Sequence, residues 1–378
     1  MHLLLDAPML LFKGKYYFSD ICYFYTFKSL ESKYTNITII SRFRISILKP
    51  NNFELVDIDQ LKIINDYNSP IKLIFSLYKI IKNLKNSIKK DDLVYSDSPL
   101  VVILLFFIQF NKRYVKFVYE IRNYVLLNLP YLRLRFGQFS GFLIKLLYSF
   151  VLKRIISSTD RLIVIDYPPK LNIFKNVANK MIILSDAYID PKCFKIKSKF
   201  DHPRYFLFVG HLEKVKRIDW IIFSFSKLVQ NGFDIYLSIV GDGPERNYLY
   251  NYVCSLGILD RVNFKGRIID EIKLNNIYNN SDILLISSFT ETGPRVLIEA
   301  IARDLQVFTS CNGYIPKLID QRCVTNANNK HEYFNDLNNF LNKNKKEHIE
   351  IKTNNICIRK EFEKSILLNK RTQLWFDL

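Results

Sequence analysis

Hydrophobic and polar positions follow two alternating periods along the second half of the chain. "RYFLFVG" (204–210), "IYLSIVG" (235–241), "VNFKG" (262–266), "DILLISS" (282–288) and "QVFTS" (306–310) are short apolar runs ending in glycine or serine, and they read as buried strands. Between them, residues 216–230, 245–256, 271–279 and 294–303 carry apolar residues three and four apart, the spacing of helices that bury one face. This alternation predicts a parallel, doubly wound α/β sheet. Gly210, Gly241, Gly243 and Gly266 fall at strand ends, and ligands of such sheets bind beyond the carboxyl ends of the strands. The first half is patterned less cleanly. "HLLL" (2–5), "NITIISR" (36–42), "LVYSD" (93–97), "VKFVYEI" (115–121) and "RLIVID" (161–166) read as strands with helices between them, which predicts a second sheet of the same kind. A short basic stretch at 195–202 reads as the linker. Patterning weakens after Thr325, although 328–346 and 361–376 still read as helices. The expected division is therefore 1–198, 199–355 and a C-terminal helix over 356–378 packing back on the first domain.

Charge separates the halves further. Residues 1–200 hold 31 Lys and Arg against 15 Asp and Glu, whereas residues 201–378 hold 24 against 21. Eight of the 11 glycines lie in the second half, where loops turn tightly. The six cysteines form no C-x-x-C pair, so they read as reduced core thiols rather than a disulfide frame or zinc site. The opening "MHLLLDAPML" lacks the basic and long apolar regions of a signal peptide, and the longest apolar run, 100–108, is too short to span a bilayer. A cytoplasmic protein is expected. In "GFLIKLLYSFVLKRII" (141–156), Lys145, Ser149 and Lys153 fall on one stripe with Arg154 beside it. That pattern fits a core helix with one exposed line, or an amphipathic surface resting on anionic lipid at the inner face of the plasma membrane. Nucleic acid is not an expected partner, since no recognition helix, RNP-like or zinc motif accompanies the basic charge.

Candidate chemistry concentrates in "SSFTETGPRVLIEAIA" (287–302). Gly293 and Pro294 break the chain, Pro294 suits the first position of a helix, and the apolar spacing resumes after it. Glu291 should therefore stand on a loop before a helix and Glu299 just over one turn inside it. The helix start between them is an anion site, and the carboxylates accept hydrogen bonds from hydroxyls. A ligand that is part phosphate and part polyol, a nucleotide sugar, suits this arrangement. "KVKR" (214–217) places Lys216 and Arg217 at another helix start, where cations are unfavourable unless an anion is present. Asp57 and Asp59 form a D-x-D pair without an apolar strand before it and read as a chance match.

Several blocks, in order, resemble the retaining GT-B glycosyltransferases of the "group 1" family. "FVGHLEKVKRID", "IVGDGPERNYL", "VNFKGRI", "SDILLISSFTETGPRVLIEAIA" and "SCNGYIPKLI" resemble that family's signature segments over residues 204–320. In the first half, "SDAYIDPKCF" (185–194) and "FVYEIRN" (117–123) resemble its hinge and acceptor-side segments more weakly. The resemblance implies α/β architecture of GT-B type, with two Rossmann-like doubly wound domains facing each other across a cleft. It implies that Glu299 accepts both ribose hydroxyls, that Glu291 meets the transferred sugar, and that the segment Gly293, Pro294, Arg295 and Val296 turns its available N–H groups to sugar and phosphates. Pro294, where many members hold glycine, removes one of those donors. Lys216 is implied to stabilise the departing diphosphate, assisted by Arg217 and by His211, which replaces the family's usual arginine. Gly210, Gly241, Gly266 and Arg267 are implied at the phosphates and base. The frequent catalytic histidine is absent. Arg122 stands in its place close to Glu120, and as a permanent cation it serves as no general base. Asp6 and Gly14 lie where the acceptor loop is expected. No metal or other cofactor is implied.

The resulting expectation is transfer of a sugar, with retention, from a nucleotide-diphosphate sugar to a glycan or lipid-linked acceptor in surface polysaccharide synthesis. The alternatives are a sugar-nucleotide epimerase of the same fold and a non-catalytic nucleotide-sugar-binding subunit.

Overall fold

The computed structural model describes residues 202–289, 291, 295–311 and 315–363 in the second half. In the first half it describes 2–4, 9–12, 15–17, 37–45, 61–65, 92–97, 115–121, 137–165, 179–184 and 191–195, with isolated positions elsewhere. The chain forms two compact units, Met1–Leu184 with Leu368–Leu378, and Ser185–Leu367. The second unit begins upstream of the expected linker because Ile189, Cys193 and Phe194 pack with its core. Residues 357–362 are a 3-10 segment of that unit rather than part of a C-terminal helix, since Phe362 is buried in the same core.

In the first unit the strands are β1 (His2–Leu4), β2 (Met9–Phe12), β3 (Lys15–Tyr17), β4 (Thr38–Ile45), β5 (Leu61–Asn65), β6 (Asp92–Ser96), β7 (Val115–Ile121), β8 (Arg161–Ile165) and β9 (Met181–Leu184). They run in the order β3-β2-β4-β1-β6-β7-β8-β9, with β5 also on β4. All pairings are parallel except β2 with β3. Helix α1 (Gln138–Ser158) joins β7 to β8 and buries Leu152, Ile155 and Ile156 against Tyr119, Ile121, Leu162 and Val164. Lys180 closes its C-terminus, donating to the carbonyls of Ile156 at 2.6 Å and Thr159 at 2.8 Å, where a cation is favoured. The exposed line of α1 differs from the sequence expectation. Lys145 and Ser149 are half-buried, while Phe139, Phe142, Leu143, Leu146, Leu147 and Phe150 face solvent, followed by Lys153 and Arg154. The expected stripe was polar, whereas the exposed stripe is apolar for its first three turns.

The second unit follows its predicted alternation closely. It runs β10 (Tyr205–Val209), α2 (Ile218–Gln230), β11 (Tyr236–Val240), α3 (Arg246–Ser255), β12 (Val262–Gly266), α4 (Glu271–Asn279), β13 (Ile283–Ile286), α5 (Arg295–Ala302), β14 (Gln306–Ser310), α6 (Ile315–Leu318), β15 (Val324–Thr325), α7 (Lys330–Leu341) and α8 (Lys345–Ile356). The order β12-β11-β10-β13-β14-β15 is wholly parallel. It reverses between β10 and β13, which is where doubly wound sheets bind ligands. Helix α2 buries Ile218, Ile221, Ile222, Phe225 and Leu228, the three-and-four spacing read from the sequence. Phe206 meets Phe225 edge-on at 6.0 Å, and Phe308 packs on Tyr333 at 5.3 Å and Phe340 at 5.5 Å, so α2 and α7 close one continuous core. Asn329 caps α7, and Asn344 with Glu347 forms a capping box on α8, which is why these polar segments hold helix despite weak apolar patterning.

Candidate active site

The loops after β10 and β11 touch backbone to backbone. Gly210 N donates to Val240 O at 3.0 Å, Gly241 N to Gly266 O at 2.9 Å, and Leu212 N to Asp242 O at 3.0 Å. A Cβ on Gly241 would lie 1.8 Å from Gly210 O, and one on Gly243 would lie 2.5 Å from Leu212 O. Only glycine allows this approach, and Gly241 also takes φ 137°, a left-handed value. The GDGP turn is thus a spacer that brings the 210–217 loop to its position.

That loop continues into a 3-10 turn, Lys214–Lys216, and then Arg217 in the left-handed region at φ 49°. The Arg217 guanidinium lies 4.2 Å over the Trp220 ring and 4.5 Å over that of Phe289. Stacking between two rings fixes it as a brace between α2 and the loop after β13. Three further bonds join the same loops. Buried Ser287 donates to the carbonyls of Lys216 at 2.7 Å and Arg217 at 2.8 Å, and Phe289 N donates to Val215 O at 2.8 Å.

Held from both sides, Lys216 Nζ reaches Glu291 Oε1 at 2.7 Å, and both side chains are largely buried. Ser288 Oγ donates to the same carboxylate oxygen, and its own carbonyl accepts from Ser310 Oγ at 2.8 Å. Charge-assisted bonds of this kind contribute about 1.5–3 kcal/mol each. Thus the lysine after β10 and the first glutamate after β13 meet at the switch point of the sheet.

Glu299 has a different setting, inside α5. Its Oε2 accepts from Tyr278 Oη at 2.8 Å, and Tyr278, on α4, is fully buried. Arg303 donates to Glu299 O at 2.7 Å and to Asn275 Oδ1, and lies 5.0 Å over the Tyr278 ring. Burial pushes the Glu299 carboxyl above its ordinary range. The bond from Tyr278 and the charges of Arg295 and Arg303 oppose that rise, and Glu271 adds to it. Burial first, and then the Glu299 charge, hold the Tyr278 phenol well above its usual range, so it remains a donor.

The far end of α5 is anchored by residues much later in the chain. Leu305 N donates to Ala300 O and Asp304 N to Ile301 O, a Schellman closure with Asp304 at φ 63° where glycine is usual. Lys352 Nζ holds the Asp304 carboxylate at 2.8 Å, Arg359 lies 3.5 Å from its other oxygen, and Arg359 Nε donates to Ile301 O at 2.8 Å.

The remaining predicted residues are dispersed. His211 is exposed and lies 3.3 Å from Glu213. Gly266 ends β12 at φ 67°, and Arg267 after it is exposed. Arg295 is exposed at the start of α5, while Val296 packs on the core. Glu120 is buried on β7. Asp6, Gly14, Arg122, Gly293 and Pro294, like the Asp57–Asp59 pair, lie outside the described residues. The sequence reading did not single out Ser287, Ser288, Tyr278 or Arg303. A serine pair closing an apolar strand, and one tyrosine in the polar helix "EIKLNNIYN", were the available signals.

The chain is similar to several known proteins. Residues 190–355 match the family described as "Glycosyl transferases group 1". Protein CapJ of Staphylococcus aureus is 28% identical over 277 residues, 71% of this chain and 66% of CapJ, so the chain spans slightly less than two thirds of that relative. The structure of Anabaena HepE in complex with UDP and glucose superimposes over 100% of both chains with TM-score 0.68 at 14% identity. WaaG, a glycosyltransferase involved in lipopolysaccharide biosynthesis, superimposes over 99% of both with TM-score 0.65, also at 14% identity. The chain has a GT-B fold, and its residues 190–355 are similar to the glycosyl transferases group 1 family.

Proposed function

We propose that this chain transfers a sugar, with retention of anomeric configuration, from a nucleotide-diphosphate sugar to a glycan or lipid-linked acceptor in cell-surface polysaccharide synthesis. The observation that carries the reading is the 2.7 Å pairing of Lys216 with Glu291 between the two central strand ends. A fixed cation there suits the charge that grows on a departing diphosphate, and a carboxylate beside it suits hydroxyls of the transferred sugar. Glu299 supplies the acceptor for ribose hydroxyls. In the proposed step the bond from the anomeric carbon to the diphosphate oxygen breaks. The acceptor oxygen bonds that carbon on the same face, and the acceptor proton passes to the leaving diphosphate. Lys216 stabilises the leaving group, and the step uses no metal.

Melting the protein with UDP-, GDP- and ADP-sugars identifies the donor through the stabilisation it gives. Turnover with that donor and a panel of acceptors, with the product configuration read by NMR, then tests transfer. An inverted product sinks the retaining step. Epimerised nucleotide sugar formed without acceptor supports the epimerase, and binding without turnover supports a non-catalytic subunit.

The exposed face of α1 favours a membrane-bound acceptor. Six apolar side chains, with Phe139 at 74% and Leu147 at 65% exposure, run into Lys153 and Arg154, and the helix has no acidic residue. This charge pattern complements anionic lipid headgroups. Co-sedimentation with phosphatidylglycerol vesicles, absent for Leu146→Ser/Phe150→Ser, is the expected result. Equal sedimentation of both proteins excludes this surface.

A further inference from the structure

We propose that Tyr278 is a positioning residue for nucleotide binding: its buried hydroxyl fixes the Glu299 carboxylate and leaves Oε1 to the ligand. The inference rests on Glu299 as a hydroxyl acceptor. Its observations are separate from those at Lys216 and Glu291. A glutamate in a helix has three rotatable side-chain bonds, and among the described residues no group of α5 hydrogen-bonds the Glu299 carboxylate to select one rotamer. Tyr278 does so from α4. Its hydroxyl meets Oε2 at 2.8 Å, and the ring cannot swing away, because it is fully buried and covered by Arg303 at 5.0 Å. Arg303 is itself fixed at both ends, on Glu299 O and on Asn275 Oδ1. The result is a closed frame in which α4 and α5 hold one carboxylate by one oxygen. Among the described residues Oε1 accepts no hydrogen bond.

Tyr278 has a second effect on the same group. A hydroxyl donor favours the ionised carboxylate, the better acceptor for a ribose diol. The charged and titratable groups facing Glu299 are Tyr278, Arg295, Arg303 and Glu271. Of these, only Tyr278 bonds the carboxylate directly. Its removal leaves a carboxylate that is both less fixed and easier to protonate.

Tyr278→Phe keeps the ring beneath Arg303 and removes only the donor. The probe is whichever of UDP, GDP and ADP raises the melting temperature of the unsubstituted protein most, titrated calorimetrically from pH 5 to 8.5. About tenfold weaker binding at neutral pH is expected. The pH below which affinity falls should also move upward relative to the unsubstituted protein. Added to Glu299→Gln, the Phe substitution should cause no comparable further loss, since the two act as a unit. If Tyr278→Phe does not fold, 3-fluorotyrosine placed at position 278 serves instead. Its more acidic hydroxyl should move the pH threshold downward. Unchanged affinity and threshold in these variants, or a loss independent of both pH and Glu299, overturns the inference alone. Absence of binding by the unsubstituted protein overturns the donor-site reading and this inference with it.

Discussion

The two glutamates eight positions apart occupy opposite kinds of environment. Glu291 stands on a loop and faces a full charge, Lys216, delivered by the loop after the neighbouring strand. Glu299 sits within a helix and is held by a neutral phenol, with arginines nearby. The first pair can be opened by a ligand that takes the lysine. The second carboxylate keeps its internal bond and still has an oxygen to offer. One end of the motif is therefore suited to rearrange during turnover, and the other to stay fixed while a ligand docks.

Removing the charge at the Lys216–Glu291 end should have the largest effect. Lys216→Ala is expected to lower turnover about 10²- to 10³-fold, the magnitude for losing one preorganised transition-state donor. Nucleotide affinity measured by calorimetry should change much less. Equal loss in both would break the contrast, because Lys216 would then be a simple binding residue.

Glu299→Gln should act in the reverse sense, lowering nucleotide affinity about tenfold without harming the free protein. The sign follows from linkage. Burial raises the folded-state pKa of Glu299, so its favourable contribution is complete below the ordinary carboxylate range and is lost as pH rises through the raised value. The neutral glutamine avoids that loss. At pH 8 the variant should melt at or above the parent temperature, and the difference should disappear near pH 4. A lower melting temperature at pH 8 would mean that Glu299 stabilises the fold as an ion.

Gly241→Ala sharpens the comparison by moving only one side. Its Cβ would collide with Gly210 O, displacing the loop that carries Lys216 while leaving the Tyr278–Glu299 frame alone. A destabilisation of about 1–3 kcal/mol is expected, with turnover falling further than affinity. Thermal melting alongside kinetics checks both parts. The smallest effect belongs to His211→Gln. The side chain is exposed and its charged neighbour is Glu213, so affinity should change less than about fivefold.

Much of the second unit was legible because its strands are continuous apolar runs and its helices carry three-and-four spacing, signals that buried parallel sheets produce directly. The loop position of Glu291 and the helical position of Glu299 were legible from the break at Gly293–Pro294, and Lys216 from the helix start beside it. Tyr278 was not. Its partner comes 21 residues later on another helix, and a tyrosine at an apolar helical position reads as core until that partner is known. The role of Arg217 was equally hidden, since a basic residue at a helix start looks like an anion ligand until two rings are found on its faces. In the first unit, strands of three to five residues give a weak alternation signal, and β2, β3, β5 and β9 escaped while β1, β6 and β8 of similar length were read. On α1 the polar line was read as the exposed one because burial, not polarity, decides which face meets solvent.

The left-handed cap at Asp304 has a consequence for the order in which the molecule is made. An eight-residue helix does not hold itself together in water, and α5 is closed by Lys352 and Arg359, which are translated 48 and 55 residues after the aspartate they grip. A nascent chain therefore carries both glutamates, and their partners Lys216 and Tyr278, well before it has the residues that close α5. The helix that carries Glu299 is closed only when the last turns of this unit have left the ribosome.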